Sequence, residues 1–347
     1  MRLATLSHIP WPSNNLDPQA LMANACDEVV LAETLGFDSA WFAEHHFSRY
    51  GLGSSSLMVL SHIAAMTTTI KLGTAVILPT LHNPIRLAED TATLDVLSNG
   101  RLKIGFGRGT EGYEYYGYNV DWEQSQRRFR ETIQIVKNLW TQEDFEYEGE
   151  FHTIPKTNLV PRPLQAPHPA VYIAATRTPE TLKYAIDSGY PILSGPVADT
   201  GDALSMCNNY IEVASATNMK VDISEIPFFR YVYVGHSEDQ VRIDTEIPLQ
   251  WTFDMIRWRR SLLTESEVNQ DMQQWRLQND IESSKFEDLI ENRVIVGTPD
   301  QCIEKILKLK ENGIQYFGCN FAFGGLSHEK VKEGMKLFAS EVIPHIK

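Results

Sequence analysis

Short runs rich in β-branched and aromatic residues recur along the chain at 2–6, 39–42, 71–78, 101–106, 170–174, 190–194, 228–234 and 316–320. Nearly continuous apolar runs of this length suit strands covered on both faces. Longer stretches lie between them, and their apolar residues return every three or four positions, as on a helix packed along one side. The first such stretch carries its own punctuation. Asp17 stands as N-cap, Pro18 takes the first helical position, Leu21, Ala25, Val29 and Ala32 share a face, and Gly36 follows the last turn. Further helices are predicted over 56–67, 84–97 and 122–140. This alternation predicts a parallel sheet with helical crossovers, and eight units favour one (β/α)8 (TIM) barrel over 1–347 rather than an open doubly wound sheet.

Two stretches depart from the alternation. Residues 141–168 carry Pro155, Pro161, Pro163 and Pro167, which suits an excursion outside the barrel rather than a strand or helix. Residues 247–292 are rich in Gln, Glu, Trp and Arg with sparse apolar positions, and precede the last strand–helix unit. A polar insertion at the C-terminal side of a barrel strand is a candidate lid, and a merely solvated helix pair is the other reading.

Composition narrows the partners. A net charge of −14 and a pI near 5.2 argue against nucleic acid, whose phosphates require clustered Lys and Arg. The amino-terminal residues lack the apolar core of a signal peptide, and no run of about 20 apolar residues occurs, so a cytoplasmic location is expected. Cys26, Cys207, Cys302 and Cys319 are scattered without metal-site spacing and read as buried thiols.

Barrel enzymes assemble their sites at the C-terminal ends of the strands, so polar residues just after an apolar run come first. After 39–42 the chain reads Glu44-His45-His46-Phe47. Neighbouring residues on a strand face opposite ways, so one imidazole at most enters the barrel mouth, where it suits proton transfer near pH 7. Metal-dependent hydrolysis is disfavoured, because neither HxH nor HExxH occurs. After 101–106 comes Gly107-Arg108-Gly109-Thr110, a backbone that lets a ligand approach closely, with a guanidinium suited to phosphate. A dinucleotide fingerprint fails there, since Thr110 occupies the position of its third glycine. After 170–174 come Ala175, Thr176, Arg177, Thr178, Pro179 and Thr181, where hydroxyls, a cation and a helix N-terminus meet. The segment reads either as a phosphate site or as ordinary capping.

Several ordered stretches together resemble the bacterial luciferase family. They are Leu35-Gly36-Phe37-Asp38, Glu44-His45-His46-Phe47, Gly73-Thr74-Ala75-Val76-Ile77-Leu78-Pro79-Thr80, Leu97-Ser98-Asn99-Gly100-Arg101 and Val296-Gly297-Thr298-Pro299. The closing Met335-Lys336-Leu337-Phe338-Ala339-Ser340-Glu341-Val342-Ile343-Pro344 is similar above all to the α-chain of that family. The resemblance implies a monooxygenase that takes reduced FMN from a partner flavin reductase, and O2, and oxidises a small organic substrate, an aldehyde among the candidates, through a flavin C4a-hydroperoxide. It assigns His45, with Glu44, to catalysis beside the flavin and implies a cis Ala75–Val76 peptide under the ring. It places Arg108, Thr176, Arg177, Thr178 and Thr181 at the FMN phosphate, with Ala175 also binding the cofactor and Arg128 reaching the phosphate from the helix over 122–140. Ser194 is implied near the flavin, and Glu114 as a residue that influences flavin binding. No metal is implied, and a homodimer through the helices near the second and third strands is expected. Gly107 replaces the family's reactive cysteine, so neither light emission nor long-chain aldehyde specificity is implied. The alternatives are hydride transfer with a deazaflavin (F420) and a non-catalytic flavin-binding protein.

Overall fold

The computed structural model describes residues 1–174, 179–216 and 222–347. Its strands are β1 (Arg2–Ser7), β2 (Ser39–Phe42), β3 (Lys71–Ile77), β4 (Leu102–Phe106), β5 (Phe145–Glu148), β6 (Thr153–Thr157), β7 (Ala170–Ala174), β8 (Ile192–Leu193), β9 (Phe228–Val234), β10 (Ile295–Gly297) and β11 (Tyr316–Asn320). The helices are α1 (Pro18–Thr34), α2 (Ser56–Met66), α3 (Pro84–Leu97), α4 (Gly112–Gly117), α5 (Ser125–Thr141), α6 (Pro179–Ser188), α7 (Thr200–Ala216), α8 (Glu238–Arg260), α9 (Met272–Gln278), α10 (Phe286–Asn292), α11 (Pro299–Glu311), α12 (His328–Leu337) and α13 (Ile343–Ile346).

The punctuation of α1 is as the sequence predicts: the Asp17 carboxylate accepts the Gln19 amide at 3.0 Å, and Gly36 takes the left-handed conformation, with φ of 81°. Strands β4, β9 and β11 are buried at every position, which explains their predominantly apolar runs, interrupted only by the buried Lys103, Arg230 and Asn320. Nine parallel strands pair in the order β10-β9-β11-β1-β2-β3-β4-β7-β8. The sheet curls until Ser194, just past β8, bridges in parallel to Phe228 of β9. Inside the curl pack Ala4, Leu6, Trp41, Tyr172, Leu193, Phe229 and Tyr316. Gly318 makes room for this layer, since a Cβ there would lie 2.0 Å from the Phe229 ring. A larger apolar layer fills the space between sheet and helices, and Cys26, Cys207, Cys302 and Cys319 are all buried free thiols. No helix among the described residues is long and apolar enough to cross a membrane.

Several sequence expectations need correction. The run at 190–194 is paired over a shorter length than predicted: Ile192–Leu193 pair with β7, and Ser194 pairs on the other side, through Pro227 and Phe229, with β9. The stretch 141–168 is not strand-free: β5 and β6 form an antiparallel hairpin. Its turn is held by Glu131, whose carboxylate accepts the amides of Glu150, Phe151 and His152 at 2.9–3.0 Å, and Pro155 is tolerated because this two-stranded sheet is all edge. Three-residue β10 escaped the pattern altogether and pairs with the C-terminal half of β9.

The segment 247–292 is not poor in packed residues. It starts inside α8, which continues through Pro248 and buries Leu249, Phe253, Met255, Ile256 and Trp258. Two buried carboxylates seat it. Asp254 accepts Arg257, Arg276, Ser283 and both the amide and hydroxyl of Ser284 at 2.5–3.0 Å, drawing α9 and its following turn onto α8. Glu267 accepts the Ser48 hydroxyl at 2.8 Å and the Arg49 amide at 2.6 Å, fastening the segment to the loop after β2. Asp254→Ala leaves two guanidinium groups and two serines without their shared acceptor, and breaking a buried ionic network costs about 3–5 kcal/mol. We expect limited proteolysis within 261–285 to accelerate by about tenfold or more while cleavage elsewhere stays slow; unchanged cleavage would show that Asp254 does not hold the segment.

Candidate active site

The polypeptide leaves β2 at Phe42 and passes through Glu44, His45 and His46 before Phe47 reverses it with φ of 52°. The two imidazoles part, although they lie in the loop just past the strand. His45 borders a cavity of about 150 Å³ at the C-terminal ends of β2, β3, β4 and β7, which Glu44, Ala75, Val76, Leu78, Gly107–Glu111, Glu114, Ala174 and Thr181 also line. His46 is buried beside it, with Nε2 3.1 Å from Glu44 and Nδ1 3.1 Å from the Tyr118 hydroxyl. These partners fix a tautomer in which Nε2–H donates to the carboxylate and Nδ1 accepts from tyrosine.

Glu44 also meets His82 Nε2 at 2.9 Å. Burial works to raise its pKa, but the hydrogen bonds from His46 and His82 prevail and hold it below the ordinary carboxyl range. Glu44 is therefore an ionised acceptor that orients two imidazoles, a positioning role beside its assignment to catalysis.

His45 packs between His8, with ring centroids 5.9 Å apart, and Tyr50 at 5.0 Å. Its Nδ1 lies 3.4 Å from Glu114 Oε1 and 3.4 Å from Arg259 Nη2. Burial, then the Arg259 charge, push its pKa well below 6.5, so the imidazole is neutral. A guanidinium only donates, so with Glu114 protonated Nδ1 is the acceptor and the ring proton rests on Nε2.

Two carboxylates three residues apart, flanking the start of α4, diverge. Glu111 accepts Arg259 Nη2 at 2.5 Å and the Thr110 hydroxyl at 2.5 Å. Burial opposes its ionisation, but Arg259 overcomes this and holds the carboxyl down at about 2. Glu114 accepts the His46 amide at 3.0 Å through Oε1, while Oε2 is buried without a hydrogen-bond partner. Burial, reinforced by the charge of Glu111, pushes Glu114 up to about 7. The cavity thus holds a neutral imidazole, an ionised carboxylate and a carboxyl poised near neutrality, the divergence expected of groups that give and take protons.

The remaining sequence-predicted residues divide. The Ala75–Val76 peptide is cis and borders the cavity. Gly107 belongs to the same wall, where a Cβ would lie 2.3 Å from Val76 Cγ2. Arg108 reaches the cavity with its guanidinium 4.7 Å over Trp122 and 3.1 Å from the Ser125 hydroxyl, and Thr181 lines it while accepting from Gln126 at 3.3 Å. Arg128 points away, stacked 4.4 Å over Phe151 of the hairpin turn and bonded to Gln124. Ser194 is buried at the β8–β9 bridge and is not part of the cavity wall. Ala175, Thr176, Arg177 and Thr178 lie outside the described residues.

Sequence reasoning missed Glu111 and Arg259. The spacing of Glu111 and Glu114 was a local signal that both could reach one place, but Arg259 comes from the far segment and nothing near it in sequence points to the cavity.

Comparison with known proteins agrees with this architecture. The family model described as luciferase-like monooxygenase matches residues 3–316. The oxygenase component of a flavin-dependent trigonelline monooxygenase from Acinetobacter baylyi is 27% identical, over 99% of this chain and 95% of that protein. An alkanal monooxygenase alpha chain from the Kryptophanaron alfredi symbiont is 27% identical, over 96% and 95%. Among solved structures, the oxygenating constituent of 3,6-diketocamphane monooxygenase from Pseudomonas putida, in complex with FMN, superposes with a TM-score of 0.81 at 20% identity, covering 100% of this chain and 99% of that one. The coenzyme F420-dependent tetrahydromethanopterin reductase of Methanopyrus kandleri superposes with a TM-score of 0.72 at 20% identity, with the same coverage. These two likenesses concern the fold.

Proposed function

The chain belongs to the luciferase-like monooxygenase family, and from that premise we propose that it is a single-domain (β/α)8 flavin-dependent monooxygenase using reduced FMN and O2 to oxidise a small organic substrate. One observation carries the reading: His45, a neutral imidazole, stands over a cavity whose wall is the apolar Ala75, Val76, Leu78 and Ala174, left flat by the missing side chain of Gly107. The residues present fit a flavin. A planar ring suits the apolar wall, Arg108 and the Thr181 hydroxyl offer donors to a phosphate, and α6 presents its N-terminus beside Thr181. Bound reduced FMN would supply the electrons that activate O2. His45 would hold or deliver a proton at Nε2, Glu114 would exchange one through Oε1 with Nδ1 of the same ring, and the seated 247–292 segment would keep water out.

The oxygenase component named among its relatives suggests a separate flavin reductase as electron source. The exposed Met58, Met66, Val96 and Leu97 of α2 and α3 offer an apolar face for a homodimer. Trigonelline and alkanals, named for the relatives, are the first substrates to assay. F420 hydride transfer is the alternative the fold neighbours leave open. Mixing anaerobically reduced FMN and protein with oxygenated buffer separates the two. The monooxygenase reading expects flavin reoxidation with an added slow phase and one oxygen atom from labelled O2 in product. Reoxidation identical to that of free FMN, together with reduction of substrate by reduced F420, would sink it.

A further inference from the structure

Arg259 is 3% exposed, yet it enters the site from α8, and the segment it belongs to is separately fastened by Asp254 and Glu267. Its guanidinium lies 4.1 Å over the Tyr50 ring, with Nη2 2.5 Å from Glu111 and 3.4 Å from His45 Nδ1. Nε and Nη1 are buried without hydrogen-bond partners. A cation desolvated to this degree is tolerated only with an opposed charge, so Glu111 and Arg259 hold each other in place. Withdrawing α8 would take the cation from Glu111, from the face of Tyr50 and from His45 in a single movement.

We propose that Arg259 is a positioning residue that ties the seating of the 247–292 segment to the state of His45. The inference rests on the functional reading of His45 given above and adds the part played by the segment. The charged and titratable groups facing His45 come from every side: His8 from just past β1, Glu44, His46 and Tyr50 from its own loop, Glu111 and Glu114 from the α4 region, and Arg259 from α8. Among them Arg259 is the cation fixed beside Nδ1, and the charge of Glu111 acts in the opposite sense. With the segment seated, the imidazole keeps Nδ1 as an acceptor and remains neutral. With it withdrawn, the imidazole is left beside Glu111 and Glu114 and takes up a proton. The proton inventory of the site therefore depends on closure.

Nuclear magnetic resonance of histidine-labelled full-length protein, free of flavin, tests this, with His45 identified by the signal missing from His45→Gln. In the parent and in Arg259→Lys the His45 signal is expected to stay that of a neutral ring through mildly acidic pH. In Arg259→Gln it is expected to titrate at a higher pH, and adding Glu111→Gln is expected to bring the midpoint back down, a reversal that loosened packing would not produce. In the reciprocal arm, hydrogen exchange across 261–285 is expected to quicken in Glu111→Gln. An unaltered His45 titration in folded Arg259→Gln, or unaltered exchange in Glu111→Gln, overturns the proposal. If Arg259→Gln does not fold, Arg259→Met takes its place with the same expectations. Because no flavin enters the measurement, failure here is distinguishable from failure of the FMN reading.

Discussion

His45→Ala is expected to shorten the slow phase of reduced-FMN reoxidation and to slow substrate oxidation by about 10²- to 10⁴-fold, the range for removal of a positioned general acid or base. Reduced FMN binding should change by no more than about threefold, because the wall of the cavity is built by other residues. The argument depends on where the proton sits. Arg259 faces Nδ1 and can only donate to it, so Nε2 carries the hydrogen. Since burial and Arg259 lower the His45 pKa, the ring is already neutral at physiological pH and is a competent acceptor as well as a donor. His46→Ala provides the contrast. That ring is buried and donates to Glu44, so its loss should lower stability by removing one of the two imidazoles that pair with this buried carboxylate, while leaving the slow phase within a few-fold of the parent. Stopped-flow traces of both variants decide the matter, with FMN affinity measured separately. A slow phase equally shortened in both, or a His45→Ala effect explained wholly by weaker FMN binding, would reduce His45 to a packing residue.

What the sequence made legible follows how far each signal reaches along the chain. The strand runs stood out because parallel strands covered on both faces are predominantly apolar, as in β4, β9 and β11. The capping of α1 was legible because Asp17 and Gln19 are neighbours. His45 was marked by its place just past β2, with at most one of the adjacent imidazoles expected to enter the barrel mouth. Legibility ended where the determining partner is remote. Arg259 meets Glu111 and His45 from far along the chain, and no local pattern distinguishes it from Arg257 or Arg260 on the same helix. The hairpin of β5 and β6 was hidden because its turn is organised by Glu131, a side chain on α5. The segment 247–292 looked too polar to be packed because its charged residues pair with one another under cover, as Asp254 does with Arg276.

The same remote pairing makes Glu114 a liability to stability that one substitution should relieve. Its ordinary carboxyl pKa of 4.5 is pushed up to about 7, first by burial and then by the charge of Glu111. Between those values the folded protein binds a proton at this site that the unfolded chain has released. Stability contributed by the group is therefore fully present below pH 4.5 and is lost as the pH rises through 7. Above pH 7 the fold must hold a buried carboxylate whose Oε2 has no hydrogen-bond partner. Glu114→Gln keeps the shape and the Oε1 acceptor for the His46 amide but cannot ionise. A displacement of this size corresponds to about 3 kcal/mol, and with allowance for the unpaired amide nitrogen of the glutamine the variant should be more stable than the parent by about 2 kcal/mol at pH 8 and by about zero at pH 5. Urea unfolding of both proteins across that interval measures the difference. A gain that appears with rising pH supports a carboxyl kept protonated for proton exchange with His45, which natural selection would retain for function at the expense of stability. A difference constant with pH would mean that Glu114 ionises normally, and would leave His45 without a proton-exchanging partner on α4.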